Sequence, residues 1–476
     1  MKVSDIYAEI KTDHEKATAT NNLELLNEVA SRFELLLNDA PEDIAILFSY
    51  GTAKMQGGYN GLAINIFQKC LELKELPEVW NNLGTAFKGE NRGEQAETCW
   101  LNALKLREDA DYYNNLATLH INEGNPDPGI EFCDKGIALN AEHPRLFWNK
   151  SLLLLEQGKW KEGFDLYDAG LLSNDRPNRM YHKEPDKVPL WAGEEGRVVV
   201  YGEQGMGDEV MFASCIPDLI EDVGRDNLIF DCHPRMVGLF ERSFGVKCYG
   251  TRKSENISWP LDDQPDYRVP IGSLFRMYRS DGVFPKTPYL EPDLDLVGEY
   301  LERLEALGPG PYIGVGWKAG VKKTRNDLRS IKLREFIPLL EQGGTCVSLQ
   351  YDDDATRKVS QFEKDTGHVI HHWRDVVEAG PHRNYTGYNY DHTVALIAAL
   401  DLCILPNTSA VHVCGALGQE CWTLTPPAAA WRYQASGKQM PMYGDWVTQF
   451  RGGMQEVVSE YADRGTWPKH AREGAG

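Results

Sequence analysis

Three short segments gather residue types that do group-transfer chemistry. In the first, Val198-Val199-Val200-Tyr201 runs into Gly202-Glu203-Gln204-Gly205-Met206-Gly207-Asp208-Glu209. Gly205 and Gly207 let a ligand or a second backbone approach closely. Asp208 opens the following apolar segment, Val210-Met211-Phe212-Ala213, which reads as a helix. Two roles fit Asp208. One is an N-cap carboxylate, stabilised by about 0.3–1 kcal/mol by the helix dipole. The other is a general base at the mouth of a cleft. The second segment is Gly314-Val315-Gly316-Trp317-Lys318-Ala319-Gly320, followed by Lys322, Lys323, Arg325 and Arg329. Five basic side chains fall within twelve residues. At the end of a strand they would neutralise a diphosphate through charge-assisted hydrogen bonds; a solvated basic loop is the other reading. The third is Leu405-Pro406-Asn407-Thr408-Ser409-Ala410-Val411-His412. Asn407-Thr408-Ser409 is an N-cap cluster, and the N–H groups of the helix it starts form an anion site. His412 lies on that helix, as a core histidine or as a site residue.

The elements that must position these segments are of two kinds. From residue 198 onward, short β-branched runs alternate with helical stretches. Strands are expected at 197–201, 228–232, 246–249 and 266–269. A second series is expected at 312–317, 345–349, 368–370, 402–404 and 420–424. Helices are expected at 290–306, 333–342, 355–365, 392–400 and 409–417. Gly308-Pro309-Gly310-Pro311 separates the two series. Two such series imply two doubly wound, Rossmann-like halves with a ligand cleft between them. Gly205-x-Gly207 lacks the third glycine of a dinucleotide fingerprint, so that cofactor is not expected.

The first third has a different texture. Leu47, Trp80, Tyr113 and Phe147 recur at spacings of 33, 33 and 34. Four residues after each stands a small one, Gly51, Gly84, Ala117 and Ser151. Sixteen after come Ala63, Ala96, Gly129 and Gly163, and twenty after come Phe67, Trp100, Cys133 and Tyr167. This is a two-helix repeat in which small residues allow close helix approach and large ones fill the gaps. A capping helix is expected at 23–37. The polar, Pro-containing stretch 176–189 reads as a linker. The expected domains are therefore 1–173, 174–308 and 309–476. The array either binds a protein, peptide or glycan or serves only as a scaffold or a surface for homo-oligomers.

Composition removes several function classes. The 476-residue chain carries a formal net charge of −21. That disfavours nucleic acid or an anionic membrane as the main partner. No apolar run approaches the roughly 20 residues of a membrane helix. The opening residues lack the apolar core of a secretory signal. None of the 10 cysteines forms a Cys-x-x-Cys pair, a pattern of buried thiols in a reducing compartment. A cytoplasmic protein is expected. His371, His372 and His382 with Asp375 and Glu378 show no metal-ligand spacing, and no metal or cofactor is expected. No Gly-x-Ser-x-Gly or Ser-x-x-Lys occurs in a context that suggests a nucleophile.

The repeats resemble tetratricopeptide repeats; Trp80-Asn81-Asn82-Leu83-Gly84 with Phe87, Ala96, Trp100 and Ala103 is the clearest copy. The whole chain resembles bacterial tetratricopeptide-repeat proteins whose C-terminal half is similar to the heptosyltransferases of lipopolysaccharide synthesis. It is more distantly similar to protein O-GlcNAc transferase. The motifs are WNKSLLLLEQGKWKEGFDLY (148–167), PLWAGEE (189–195), YGEQGMGDEVMFAS (201–214), VPIGSLFRM (269–277), PYLEPD (288–293), GVGWKAG (314–320), NDLRSIKL (326–333), VSLQ (347–350), ALIAALDLCILPNTSAVHVCGALG (395–418) and WRY (431–433).

The resemblance implies two Rossmann-like domains of GT-B type behind the repeats. It implies an inverting, metal-independent glycosyltransferase that uses a nucleotide-diphosphate sugar as substrate. Asp208 matches the acid that acts as base on the acceptor hydroxyl, in the turn of Gly205 and Gly207 on the acceptor side. Lys318 and Arg329, with Asn326 and Ser330 beside them, match the loop that grips donor phosphate. Thr408, Ser409 and His412 match the turn that holds the nucleotide sugar. The chain departs from the family at Asn407 and Ala430, where an Asp is usual. The alternatives are a non-catalytic interaction scaffold and a GT-B epimerase or hydrolase acting on nucleotide sugars.

Overall fold

A computed structural model describes residues 2–179, 181–183, 186–252, 264–320, 326–351, 354–377 and 390–464. The chain divides into two compact units, Met1–Leu153 and Leu154–Gly476.

The first unit is a helical repeat array. Helices Val3–Ala19 and Leu23–Leu36 precede the pairs Ile44–Gln56 with Asn60–Leu73, Pro77–Gly89 with Gly93–Leu106, and Ala110–Glu123 with Pro126–Leu139. Asn22 caps the second helix, its side chain accepting from Leu25 N at 3.1 Å. The small repeat positions are close approaches. A Cβ on Gly84 would lie 2.8 Å from Trp100 Nε1, and one on Gly51 would lie 2.7 Å from the Phe67 ring. Phe67, Leu83, Trp100 and Leu116 are buried in one shared core. Helix Pro144–Glu156 runs across the division between the units, and its successor Trp160–Tyr167 belongs to the second.

In the second unit a short antiparallel ribbon, β1 (His182–Lys183) and β2 (Asp186–Lys187), precedes two sheets. The first sheet holds β3 (Val198–Tyr201), β4 (Leu228–Asp231), β5 (Lys247–Tyr249) and β6 (Tyr267–Pro270). All pairs are parallel, in the order β5-β4-β3-β6. The second holds β7 (Tyr312–Val315), β8 (Thr345–Ser348), β9 (Leu402–Pro406), β10 (Cys421–Leu424), β11 (Gln439–Met440) and β12 (Gly444–Phe450). Its order is β11-β12-β10-β9-β7-β8, parallel except for the edge strand β11. Strands β3, β4, β7, β9 and β10 are buried along their whole length, as expected of parallel strands covered on both faces. All ten cysteines are free and buried.

Three expectations are corrected. Residues 368–370 form no strand; only His371 makes an isolated bridge, to Val347. Ile370 is buried in the core that also holds Cys346 of β8, whereas Val369 is exposed. Strand β12 was not foreseen, because Gly444, Asp445 and Gln449 dilute its apolar pattern. The stretch read as a linker begins at Arg176, whose side chain is fully buried.

Candidate functional site

Each sheet has a point where the chain reverses its order among the parallel strands, and such points leave crevices beyond the carboxyl ends of the strands. In the first sheet the chain passes from β3 through β4 to β5, then returns to β6 on the other side of β3. That crevice is filled. Arg176 Nη2 donates to Glu203 Oε1 at 2.7 Å and to Ser273 Oγ at 3.2 Å, and Arg176 Nη1 donates to Asp168 Oδ1 at 3.0 Å. Gly272 N also donates to Glu203 Oε1, at 3.2 Å.

In the second sheet the chain passes from β7 to β8 and returns to β9, on the other side of β7. Here the crevice is open. The cleft there has a volume of about 120 Å³. Lys318, Thr408 and Ser409 line it, together with Met206, Arg235 and Gln350. No Asp or Glu stands among the described residues of its wall, in a chain of net charge −21.

Helix Ser409–Leu417 starts at the cleft, with Thr408 at its N-cap. The expected side-chain cap is absent there. Asn407 turns inward instead, its Oδ1 accepting from Thr423 Oγ1 at 2.8 Å and Thr425 Oγ1 at 3.4 Å. The first N–H groups of a helix have no partner within it. Those of Ser409 and Ala410 therefore belong to the wall of the cleft. Gln350 fixes the opposite loop: its Oε1 accepts from Trp317 N at 3.1 Å and from Lys318 N at 2.9 Å. Arg329 Nη1 donates to Asn407 O at 3.4 Å, and Ser330 Oγ accepts from Ala319 N at 3.4 Å. Asn326 opens the short helix Asn326–Arg329; its side chain, with Lys322, Lys323 and Arg325, lies outside the described residues.

Asp208, His412 and Asn407 do not line this cleft. Asp208 sits in the first turn of helix Met206–Phe212, where its Oδ2 accepts from Gly205 N at 3.1 Å. Its Oδ1 is ion-paired with Arg432. Gly207 faces the other helix: a Cβ there would lie 2.8 Å from His412 Cδ2 and 3.1 Å from Ser409 Cα. The glycine thus serves helix packing, and it brings two helix N-termini and the Asp208–Arg432 pair together. His412 is buried behind them, its Nδ1 3.0 Å from Tyr443 Oη and its Nε2 3.5 Å from Tyr433 Oη. Arg432 is carried by the turn Trp431–Tyr433, the WRY motif. Nothing in the sequence indicated that it would pair with Asp208.

Two buried groups are electrostatically displaced. Burial pushes Glu209 up to about 7, although Arg252 pairs with it and His233 N donates to it at 2.8 Å. Burial, and then the charge of Arg432, hold His412 well below the usual histidine value of 6.5. The folded protein therefore keeps His412 neutral, whereas the unfolded chain takes up a proton below about pH 6.5. Stability then falls as pH drops through that value, by up to about 1.4 kcal/mol per pH unit for this group. Glu209 acts in the opposite sense, since its native state binds the proton more tightly between about 4.5 and 7. Urea unfolding of wild type and His412→Gln at pH 7.5 and 5.5 separates the two. The wild type loses its advantage over the variant at the lower pH, and an unchanged difference would mean that His412 is charged in the fold.

A family model, tetratricopeptide repeat, matches residues 110–143. The chain is 27% identical over 427 residues to Protein FlbA of Caulobacter vibrioides, a match covering 82% of this chain and 67% of that protein. Among solved structures it is similar to MamA protein (19% identity, TM-score 0.30, 36% of this chain and 93% of that one). It is also similar to Pseudomonas aeruginosa pilF (16% identity, TM-score 0.34, 47% of this chain and 87% of that one). The chain thus carries tetratricopeptide repeats, followed by an α/β region built on parallel sheets. No helix among the described residues is long and apolar enough to cross a membrane.

Proposed function

We propose that the α/β unit is a GT-B module of two Rossmann-like halves that transfers a sugar from a nucleotide-diphosphate donor without a metal ion. One observation carries the reading. The open crevice between β7 and β9 combines Lys318 with the N-terminus of helix Ser409–Leu417 and has no acid among its described lining residues. A diphosphate placed there meets a cation and backbone N–H groups aligned with a helix dipole, so its charge is neutralised by the protein alone. The filled crevice of the first sheet supports placing the donor on the second. The acceptor then approaches from the side of Gly205 and Asp208, and the repeats recruit it as a protein, peptide or glycan. The ten buried thiols suit a reducing, cytoplasmic setting.

Calorimetry with UDP, GDP and ADP in the presence of EDTA tests the donor site. Binding is expected without added metal, and Lys318→Ala should weaken it about tenfold to a hundredfold, the worth of a hydrogen bond to a charged group. Unchanged affinity would move the phosphate site elsewhere. A second reading, a non-catalytic scaffold, is favoured by the Asp208–Arg432 pair, which occupies the expected base. Failure of every nucleoside diphosphate to bind would support it.

A further inference from the structure

The turn that carries Arg432 ends in a strained residue. Gln434 closes it at φ 58° and ψ 165°. Residues with a Cβ avoid that region, and glycine is its ordinary occupant. The side chain accounts for the glutamine. Its Nε2 donates to Trp431 O at 2.7 Å, across the turn, and to Leu155 O at 2.8 Å, in the last turn of helix Pro144–Glu156. Leu155 O is one of the four carbonyls that a helix leaves without an intrahelical partner at its end. The next of them, Glu156 O, accepts from Ala435 N at 3.2 Å. Glycine at 434 would relieve the backbone and lose this brace.

A second side chain holds the same backbone from the end of β12. Arg451 Nη2 donates to Tyr433 O at 2.7 Å and to Gln434 O at 2.9 Å. The residues of the braced turn reach three parts of the site. Trp431 packs on Phe212, in the helix that carries Asp208, with ring centres 6.5 Å apart. Arg432 pairs with Asp208, and Tyr433 Oη lies 3.5 Å from His412 Nε2. Neither Gln434 nor Arg451 belongs to the described wall of the nucleotide cleft.

We infer that Gln434 and Arg451 are positioning residues for the proposed transfer, holding the strained turn so that Arg432 fixes the Asp208 carboxylate for the acceptor hydroxyl. The role rests on the glycosyl-transfer reading and adds to it two residues on which turnover depends. Loss of either brace loosens the turn. A catalytic group misplaced by about 1 Å loses roughly a hundredfold in rate. The diphosphate meanwhile keeps Lys318 and the helix N-terminus at Ser409.

The test is hydrolysis of UDP-, GDP- and ADP-hexoses by the full chain, with water as the acceptor. Water gives its proton to Asp208 as its oxygen bonds to the anomeric carbon and the nucleoside diphosphate leaves. Gln434→Gly is expected to lower kcat about tenfold to a hundredfold and to leave nucleoside diphosphate affinity within about twofold. Arg451→Met should do the same. In an Arg432→Gln protein, which has lost the group being positioned, Gln434→Gly should add no further loss. Wild-type kcat in Gln434→Gly would overturn the inference and leave the transfer reading in place. So would a loss that multiplies with that of Arg432→Gln, because Gln434 would then act independently of Arg432. Hydrolysis of no donor would overturn the transfer reading and the catalytic role with it. The hold on the pair is read without activity, by a double-mutant cycle of Asp208→Asn and Arg432→Gln followed by urea unfolding. The unfolding constant should show coupling of about threefold or more in the wild type and none in Gln434→Gly. Equal coupling in both would overturn the positioning.

Discussion

Arg176→Met is expected to cost about 3–5 kcal/mol of stability, the range for removing one partner of a buried ion pair. The side chains of Arg176 and Glu203 are 0% and 1% exposed. Arg176 reaches two acids, the Tyr167 carbonyl and Ser273, and its guanidinium lies 4.5 Å from the centre of the Tyr167 ring. Met fills most of the same volume, so lost packing is a minor part of the effect. The dominant part is Glu203, left charged and dry with only Gly272 N and Gln204 Nε2 as donors. A double variant, Arg176→Met with Glu203→Leu, removes the stranded charge and should recover much of the loss. Urea unfolding followed by tryptophan fluorescence measures all three proteins. A single variant within 0.5 kcal/mol of wild type (about the level of an ordinary surface change) would mean that water reaches this crevice, and it would then be free to take a ligand.

That pair also shows where sequence reasoning stopped. Positions whose role is set by their neighbours in the chain were legible. The small residues Gly51 and Gly84 and their large counterparts Phe67 and Trp100 repeat at fixed spacing, and the structure joins them across each helix pair. Strand β3 follows from Val198–Val200, but the helix begins at Met206, earlier than expected: Gly205 is its N-cap, and Asp208, read as the N-cap, is its third residue. Lys318, Thr408 and Ser409 sit at strand ends and were found on the cleft for that reason. Roles set by distant pairing were not legible. Arg176 follows a helix and precedes prolines, so it resembled linker; its burial depends on Glu203 and Ser273, 27 and 97 residues away. Asn407 looked like a cap, yet Thr423 on the next strand and Thr425 just beyond it claim its oxygen. Strand β12 is held by its pairing to β10, from Cys421↔Val447 to Leu424↔Phe450. Its own sequence, GDWVTQF, carries little of that signal.

The same limit governs Asp208, for which local sequence supports two roles. Asp208→Asn is expected to lower turnover by about 10²–10⁴, the usual contribution of a general base, measured as nucleoside diphosphate released in the presence of acceptor. Nucleotide affinity should hold, because Asp208 is not part of the cleft wall. Both of its oxygens are engaged, Oδ2 by Gly205 N and Oδ1 by Arg432. To take a proton from an acceptor hydroxyl, the carboxylate must share Oδ1 with the incoming group or release Arg432. Arg432→Gln therefore separates positioning from chemistry. If Arg432 only orients Asp208, the two losses in turnover do not add in the double variant, since contacting residues couple. The cap role predicts a different pattern. Asn keeps an oxygen for Gly205 N, so Asp208→Asn spares stability, whereas Asp208→Ala loses about 0.5–2 kcal/mol, as other lost helix caps do. Slow turnover in a stable Asp208→Asn protein assigns the base. Wild-type turnover in that variant, with instability confined to Asp208→Ala, leaves Asp208 as a cap and requires another group to accept the proton.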